Sequence, residues 1–113
     1  MPSHPLQQFI ARFQHEELAT FTTGYVYGAA ITDFVKYAYA HGLVPKDYDL
    51  VTDAWQAAKD KEAFIATAPI EDVKRLIGLH IREDRFCEGA LLCSIESGLI
   101  TQLLQRVIVL SNL

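Results

Sequence analysis

Cysteine is scarce in this sequence, which excludes a fold held together by disulfides. Its two cysteines, Cys87 and Cys93, are six residues apart and so about 120° apart on a helix, where they cannot form a bridge. We expect both to be reduced thiols and Cys93 to be a small core residue. Cys87 lies near two arginines at a predicted helix start, which leaves a nucleophilic role open, but the spacing alone supplies no histidine partner for it.

Basic residues and long apolar runs are also in short supply. The chain has 10 Lys and Arg against 14 Asp and Glu, for a net charge of −4. A nucleic acid or an anionic membrane binds to a basic surface, so we expect neither as a partner. No apolar run approaches the roughly 18 residues of a membrane span, and the N-terminus lacks a basic region followed by an apolar one. We therefore expect a soluble cytoplasmic protein.

The common catalytic and cofactor motifs are missing as well. The sequence contains no C-x-x-C, H-E-x-x-H or G-x-S-x-G pattern and no glycine-rich loop that could hold a phosphate. We therefore predict no catalytic residue, no metal site and no cofactor. Enzymatic activity stays open, but the lack of these motifs favours a protein without it.

What the sequence does contain is helical periodicity along most of its length. Half of its 113 residues are hydrophobic, which is enough for one core, and the chain is too short for a second. We predict an all-α fold, a single compact domain over residues 1–113 with five or six helices. Helices are expected over residues 5–18, 29–41, 50–64 (with a break near residues 59–61), 69–81, 88–97 and 99–110.

Residues 21–27 depart from this pattern, because they are β-branched and aromatic and are punctuated by Gly24. A single short strand there would have no partner, so we interpret the segment as an extended connection. Gly78, inside the predicted helix 69–81, favours the close approach of another helix.

The last two predicted helices form a hairpin that turns at Gly98, where a left-handed residue is expected. The apolar face of residues 99–110 covers about half of the helix circumference, wider than the ~100° stripe of an ordinary surface helix. Such a helix is either central to the core or shared with a second subunit. With the surplus of apolar residues, this favours a homo-oligomer, most simply a dimer. The exposed tyrosines of such an interface would come from Tyr25, Tyr27, Tyr37 and Tyr39.

A charged turn, residues 82–88, separates the predicted helices 69–81 and 88–97. As a brace, its guanidinium groups would bind the open carbonyls of the first helix, and Asp84 or Glu88 would cap the amides of the second. As a binding site, its arginines would hold a small anion or a partner's carboxylate. The brace is favoured, because charge clusters between helices are more often structural. The candidate ligand-binding residues are His80, Arg82, Asp84, Arg85 and Glu88.

Three side chains at this turn have structural interpretations. His80 could carry a proton, but it more simply donates a hydrogen bond to a carbonyl or a carboxylate. Arg85 is expected to be buried if it acts as a brace. If the Phe86 ring lies in the core, its replacement by alanine should cost about 3–5 kcal/mol.

The charged turn and the residues after it resemble an uncharacterised bacterial family. The hallmark of that family is R-G-(D/E)-R-F-x-(D/E)-G, followed by a short helix, a glycine and a leucine-rich last helix with an arginine. The matching positions are Arg82, Asp84, Arg85, Phe86, Glu88, Gly89, Gly98 and Arg106. Glu83 stands where the family has glycine, and a positive φ there would strain it. The resemblance implies a small helical domain of unknown function and brings no activity, cofactor or catalytic residue.

Two functions are therefore open at this point. The first is a non-enzymatic interaction or assembly module, a homodimer that uses the wide apolar face of residues 99–110 or the tyrosines. The second is a binder of a small anionic molecule, or an enzyme, that uses the charged turn. The first is favoured because the sequence has an apolar surplus and no catalytic spacing.

Overall fold

Helices dominate the fold because an apolar spacing of about 3.6 residues repeats along most of the chain. The computed structural model describes residues 4–21 and 25–111, and seven α-helices lie in those ranges. They are α1 (Pro5–His15), α2 (Ala29–Ala40), α3 (Thr52–Ala57), α4 (Lys61–Thr67), α5 (Ile70–Glu83), α6 (Ala90–Glu96) and α7 (Leu99–Ser111). A short 3-10 helix, Tyr48–Val51, precedes α3. The predicted all-α class is confirmed.

The helix count exceeds the predicted five or six because the predicted helix 50–64 is broken in two, at the place where a break was expected. Ala58 is extended, with φ −67° and ψ 124°. Asp60 caps α4 by accepting a hydrogen bond from an amide of its first turn at 3.1 Å. Lys61 turns back to donate to two carbonyls at the end of α3, and its ammonium lies 4.7 Å from the centre of the Trp55 ring.

The interpretation of residues 21–27 as an unpaired extended connection is wrong. Two three-residue strands, β1 (Ala19–Phe21) and β2 (Tyr25–Tyr27), pair antiparallel. The partner strand, β1, begins two residues before the β-branched segment and shares Phe21 with it. It is available because α1 ends at His15 rather than near residue 18. Residues 22–24, between the strands, lie outside the described part of the chain.

The C-terminal helix α7 lies at the centre of the core, as predicted. It packs against α1, α4, α5 and α6. Its buried residues are Ile100, Leu103, Leu104, Val107 and Ile108. The chain reverses from α6 into α7 at Gly98, whose φ of +87° is the left-handed conformation expected there. The wide apolar face is thus used within the chain, which is the first of the two alternatives that its width left open.

Gly78 allows a loop, and not another helix, to lie against α5. A Cβ atom added at this position would lie 3.2 Å from Val44 Cα and 3.2 Å from Pro45 Cδ. Side chains in a close-packed interior do not come this near to backbone atoms without displacing them. The loop that follows α2 therefore packs directly on the backbone of α5.

Both cysteines are free and exposed, so the expectation that Cys93 belongs to the core is wrong. The buried residues of α6 are Leu91, Leu92 and Ile95. A helix turns by about 100° at each residue, so Cys93 falls on the other side of α6 from these three.

Within the described ranges, no single helix has both the length and the apolar composition needed to cross a membrane. Only the pair α6 and α7, taken together, has that length and composition, and this pair is bent by 69°. Both bury their apolar faces against the rest of the chain.

Candidate functional site

The charged turn, residues 82–88, connects α5 to α6 and is shaped by backbone hydrogen bonds. The Arg82 and Glu83 carbonyls at the end of α5 accept amide protons of the turn at 3.0–3.1 Å. The backbone therefore satisfies them, and the expectation that guanidinium groups bind the open carbonyls is wrong. Glu83 is the last residue of α5 and has no positive φ, so it is not strained. The left-handed position is instead Gly89, with φ +85°, directly before α6.

Asp84 is the side chain that braces the turn. Its Oδ1 accepts a hydrogen bond from the Tyr27 hydroxyl at 2.6 Å and another from the Leu91 amide at 3.1 Å. The predicted capping of the second helix by Asp84 is confirmed, because Leu91 lies in the first turn of α6. The first bond also ties β2 to the turn. Burial, followed by this bond to a carboxylate, raises the pKa of Tyr27 far above its ordinary value.

Arg82 has a structural role on the surface of α5. It is half-buried, and its guanidinium carbon lies 4.8 Å from the centre of the Tyr48 ring. At this distance the two groups form a cation–π interaction. Arg82 therefore fastens the 3-10 helix Tyr48–Val51 to α5.

Arg85, by contrast, is exposed, so its predicted burial as a brace is wrong. Among the described residues, its one polar contact is a hydrogen bond from Nη2 to the Tyr39 hydroxyl at 3.4 Å. This distance is beyond the usual range for a strong N–H···O bond. The guanidinium group thus keeps most of its donors for another acceptor.

A cleft of about 410 Å³ opens between α2 and the charged turn, and we call it the α2 cleft. Its lining residues are Tyr27, Ile31, Thr32, Val35, Lys36, Tyr39, Ile81, Asp84, Arg85 and Leu91. Its two cations, Lys36 and Arg85, form no ion pair with any described carboxylate. The cleft therefore combines a largely apolar wall with two cations that form no ion pair among the described residues, and with one carboxylate, Asp84, that accepts hydrogen bonds from Tyr27 and Leu91.

Two of the five candidate residues, Asp84 and Arg85, line this cleft together. His80 does not, because it is 5% exposed within the core, where its Nδ1 lies 2.7 Å from the Leu76 carbonyl oxygen. The predicted hydrogen bond from this histidine to a carbonyl is confirmed. Glu88 is exposed on the turn but lies outside the cleft lining.

Phe86 is 89% exposed, so the condition for a large loss of stability on its replacement by alanine, a ring in the core, is not met. The core face of α5 includes Ile77 and Ile81 and ends with the helix at Glu83. At about 100° per residue, Phe86 lies about 180° from Ile77 and about 140° from Ile81, so even a continued helix would place its ring on the side away from the core. The ring stands in solvent next to Arg85, a residue of the α2 cleft.

Sequence reasoning missed Lys36 and the cleft wall that α2 provides. Thr32, Val35, Lys36 and Tyr39 recur at helical spacing and line the cleft as one stripe of α2. The spacing is visible in the sequence. The sequence does not show that this stripe of α2 lies against the charged turn, since 46 positions separate Tyr39 from Arg85.

Comparison with known proteins yields one family. A model for a family of unknown function, DUF6508, matches residues 5–112, nearly the whole chain. The chain belongs to DUF6508. The predicted membership of a family of unknown function is thereby confirmed, while the proposed signature and bacterial source stay predictions. No curated protein and no solved structure matches this DUF6508 chain.

Proposed function

We propose that this DUF6508 chain is a non-enzymatic binding module that holds an anionic group on an apolar body in the α2 cleft. The observation that carries the proposal is the position of Lys36 and Arg85. Both line an apolar cleft, and neither pairs with a described carboxylate. A guanidinium group binds a carboxylate through two parallel hydrogen bonds, and an ammonium group adds a second charge.

The size and the lining of the cleft fit a small molecule or the end of a peptide. A volume of about 410 Å³ falls within the roughly 300–1,000 Å³ of typical ligand sites. Ile31, Val35 and Leu91 supply an apolar surface, and Tyr39 supplies an aromatic one. A ligand would thus bury an apolar body against these side chains and place its anion near Arg85.

The acid–base groups of the cleft are engaged in the fold, which favours binding over catalysis. Asp84 Oδ1 accepts two hydrogen bonds, and the Tyr27 hydroxyl donates one of them. A phenol is protonated at neutral pH even at its ordinary pKa of about 10, and burial with the bond to Asp84 raises the pKa of Tyr27 further, so it cannot serve as a base there. Both groups act as parts of the cleft wall in this proposal.

The proposal is tested by following backbone amide NMR signals of the full chain during addition of 4-phenylbutyrate, with the uncharged 4-phenylbutyramide as the matched ligand. We expect saturable shifts in α2 and in residues 84–91 with the carboxylate, and much weaker ones with the amide. Arg85→Gln should weaken binding about 10-fold, which corresponds to about 1.4 kcal/mol. Lys59→Gln, an exposed change of the same charge outside the lining, should have no effect. Equal binding of both ligands, or no saturable shift, would overturn the proposal.

Self-association is a second candidate function, favoured by Phe86. A phenylalanine that is 89% exposed beside a partly apolar cleft offers a surface that a second copy can cover. The proposed homodimer would then use the charged turn and the α2 cleft, because the wide apolar face of α7 is already packed against other helices of the same chain. Sedimentation velocity at rising concentration should show a dimer that Phe86→Ser disrupts. A monomer at high micromolar concentration would count against it.

The remaining partner assignments rest on charge. The net charge of −4 favours a protein or small-molecule partner over a nucleic acid, which needs a basic surface. A cytoplasmic location is part of the same proposal. Fluorescent fusion of the full chain would test that location directly.

A further inference from the structure

We propose that the chain has a second ligand site, separate from the α2 cleft, which binds a small oxyanion such as a phosphate group. The site is a cavity of about 240 Å³, where α1 and α5 begin and α2 and α7 end. We call it the basic cavity, because His4, His41 and Lys74 line it together with Tyr37. Among the described residues that line it, none is Asp or Glu.

His4 lines this cavity, and a backbone hydrogen bond determines the tautomer of its neutral ring. Its Nδ1 accepts the Leu6 amide proton at 3.1 Å, an N-terminal cap of α1. A nitrogen that accepts this bond carries no proton, so in the neutral ring the proton is on Nε2. The capping bond therefore sets both the orientation of the ring and the atom that can donate to an anion.

His41 and Tyr37 are held in place by stacking. Their ring centres are 4.0 Å apart, and the planes are inclined by 22°. Tyr37 also lies against Phe9, with ring centres 5.4 Å apart. Contacts within the protein thus hold the rings of Tyr37 and His41, which bear O–H and N–H groups, in place before any ligand binds.

Lys74 adds the permanent positive charge. It is half-buried on α5, and it forms no ion pair among the described residues. Cations near helix ends commonly neutralise the open carbonyls there. The side chains of Lys74 and His41 donate no hydrogen bond to any described carbonyl, so this common structural role does not account for them. Among the described residues, His4, His41 and Lys74 thus line one cavity whose lining includes no Asp or Glu, in a chain of net charge −4.

The chemistry of the cavity selects the class of ligand. Its donors are N–H and O–H groups, and its volume lies below the roughly 300 Å³ at which drug-sized ligand sites begin. A tetrahedral oxyanion accepts several hydrogen bonds through a compact body, whereas an extended apolar anion suits the larger α2 cleft. The two sites therefore take different anions and can be tested independently.

The test uses inorganic phosphate and the imidazole NMR signals of the full chain, at fixed pH, with sodium chloride of equal ionic strength as the reference. The four histidines supply internal controls, because His15 and His80 do not line the cavity. We expect saturable shifts of the His4 and His41 signals with phosphate, and unchanged His15 and His80 signals.

A set of charge-matched variants makes the result specific. Lys74→Gln should weaken phosphate binding at least 10-fold, whereas Arg85→Gln and Lys59→Gln should leave it unchanged. If Arg85→Gln leaves phosphate binding unchanged, phosphate binds at the basic cavity independently of the α2 cleft, whose proposed function depends on Arg85. Equal shifts in chloride, shifts shared by all four histidines, or full binding by a folded Lys74→Gln variant would overturn the proposal.

Discussion

Replacing Tyr27 by phenylalanine tests the brace of the charged turn by the loss of a single hydroxyl. The change leaves Asp84 with one of its two hydrogen bonds, from the Leu91 amide at 3.1 Å. Hydrogen bonds to charged groups contribute about 1.5–3 kcal/mol. Because solvent reaches part of the Tyr27 side chain, we expect the lower end of this range, a loss of about 1.5 kcal/mol in the free energy of unfolding.

The loss should also depend on pH, in a direction set by the raised pKa of Tyr27. Below the ordinary tyrosine pKa of about 10, the phenol is protonated in both the folded and the unfolded chain, and its contribution is complete. Above that pH the unfolded chain releases the proton while the folded chain retains it. Wild-type stability then falls as the pH rises, by at most about 1.4 kcal/mol per pH unit from this group.

Urea unfolding of the wild type and Tyr27→Phe, followed by circular dichroism, would measure both effects. The difference in stability should be complete near pH 8 and should narrow above about pH 10, since the variant has no proton to lose at this position. Tyr39→Phe is the matched control, because within residues 4–21 and 25–111 its exposed hydroxyl makes only the 3.4 Å contact with Arg85. Equal stability of Tyr27→Phe and wild type near pH 8, or a constant difference at alkaline pH, would refute the role of this bond.

Three further substitutions test the packing, each measured by urea unfolding. Gly28→Ala should destabilise by about 1–3 kcal/mol, because its Cβ would lie 2.5 Å from the Glu17 carbonyl oxygen; wild-type stability would contradict this contact. Gly78→Ala should not show the gain of about 1 kcal/mol in stability that is expected in an exposed helix, since the new Cβ would lie 3.2 Å from Val44 Cα. A gain of that size would mean that the loop after α2 moves away from α5 without cost. Phe86→Ala should change stability by less than about 0.5 kcal/mol, because the ring is exposed, and a loss of 3 kcal/mol or more would place it in the core.

The two interpretations of the charged turn each apply to part of it. Asp84 is the structural element, since it caps α6 and bonds to Tyr27. Arg85 is the free one, since it has a single long contact within the described residues. A sequence pattern cannot separate these roles, because a charged residue in a turn acts as a brace only if a partner from elsewhere reaches it.

Local pattern determined the helices of this chain and most of their buried faces. The stop at Gly98, the break before α4 and the apolar stripe of α7 follow from residues that are neighbours in sequence, because helical hydrogen bonds and side-chain spacing act over four residues or fewer. The tertiary structure alone decided which side chains meet across the fold. It brought Tyr27 to Asp84, 57 positions away, and set Lys36 beside Arg85 in one cleft. Such contacts depend on how whole helices pack, and that packing is a property of the complete core.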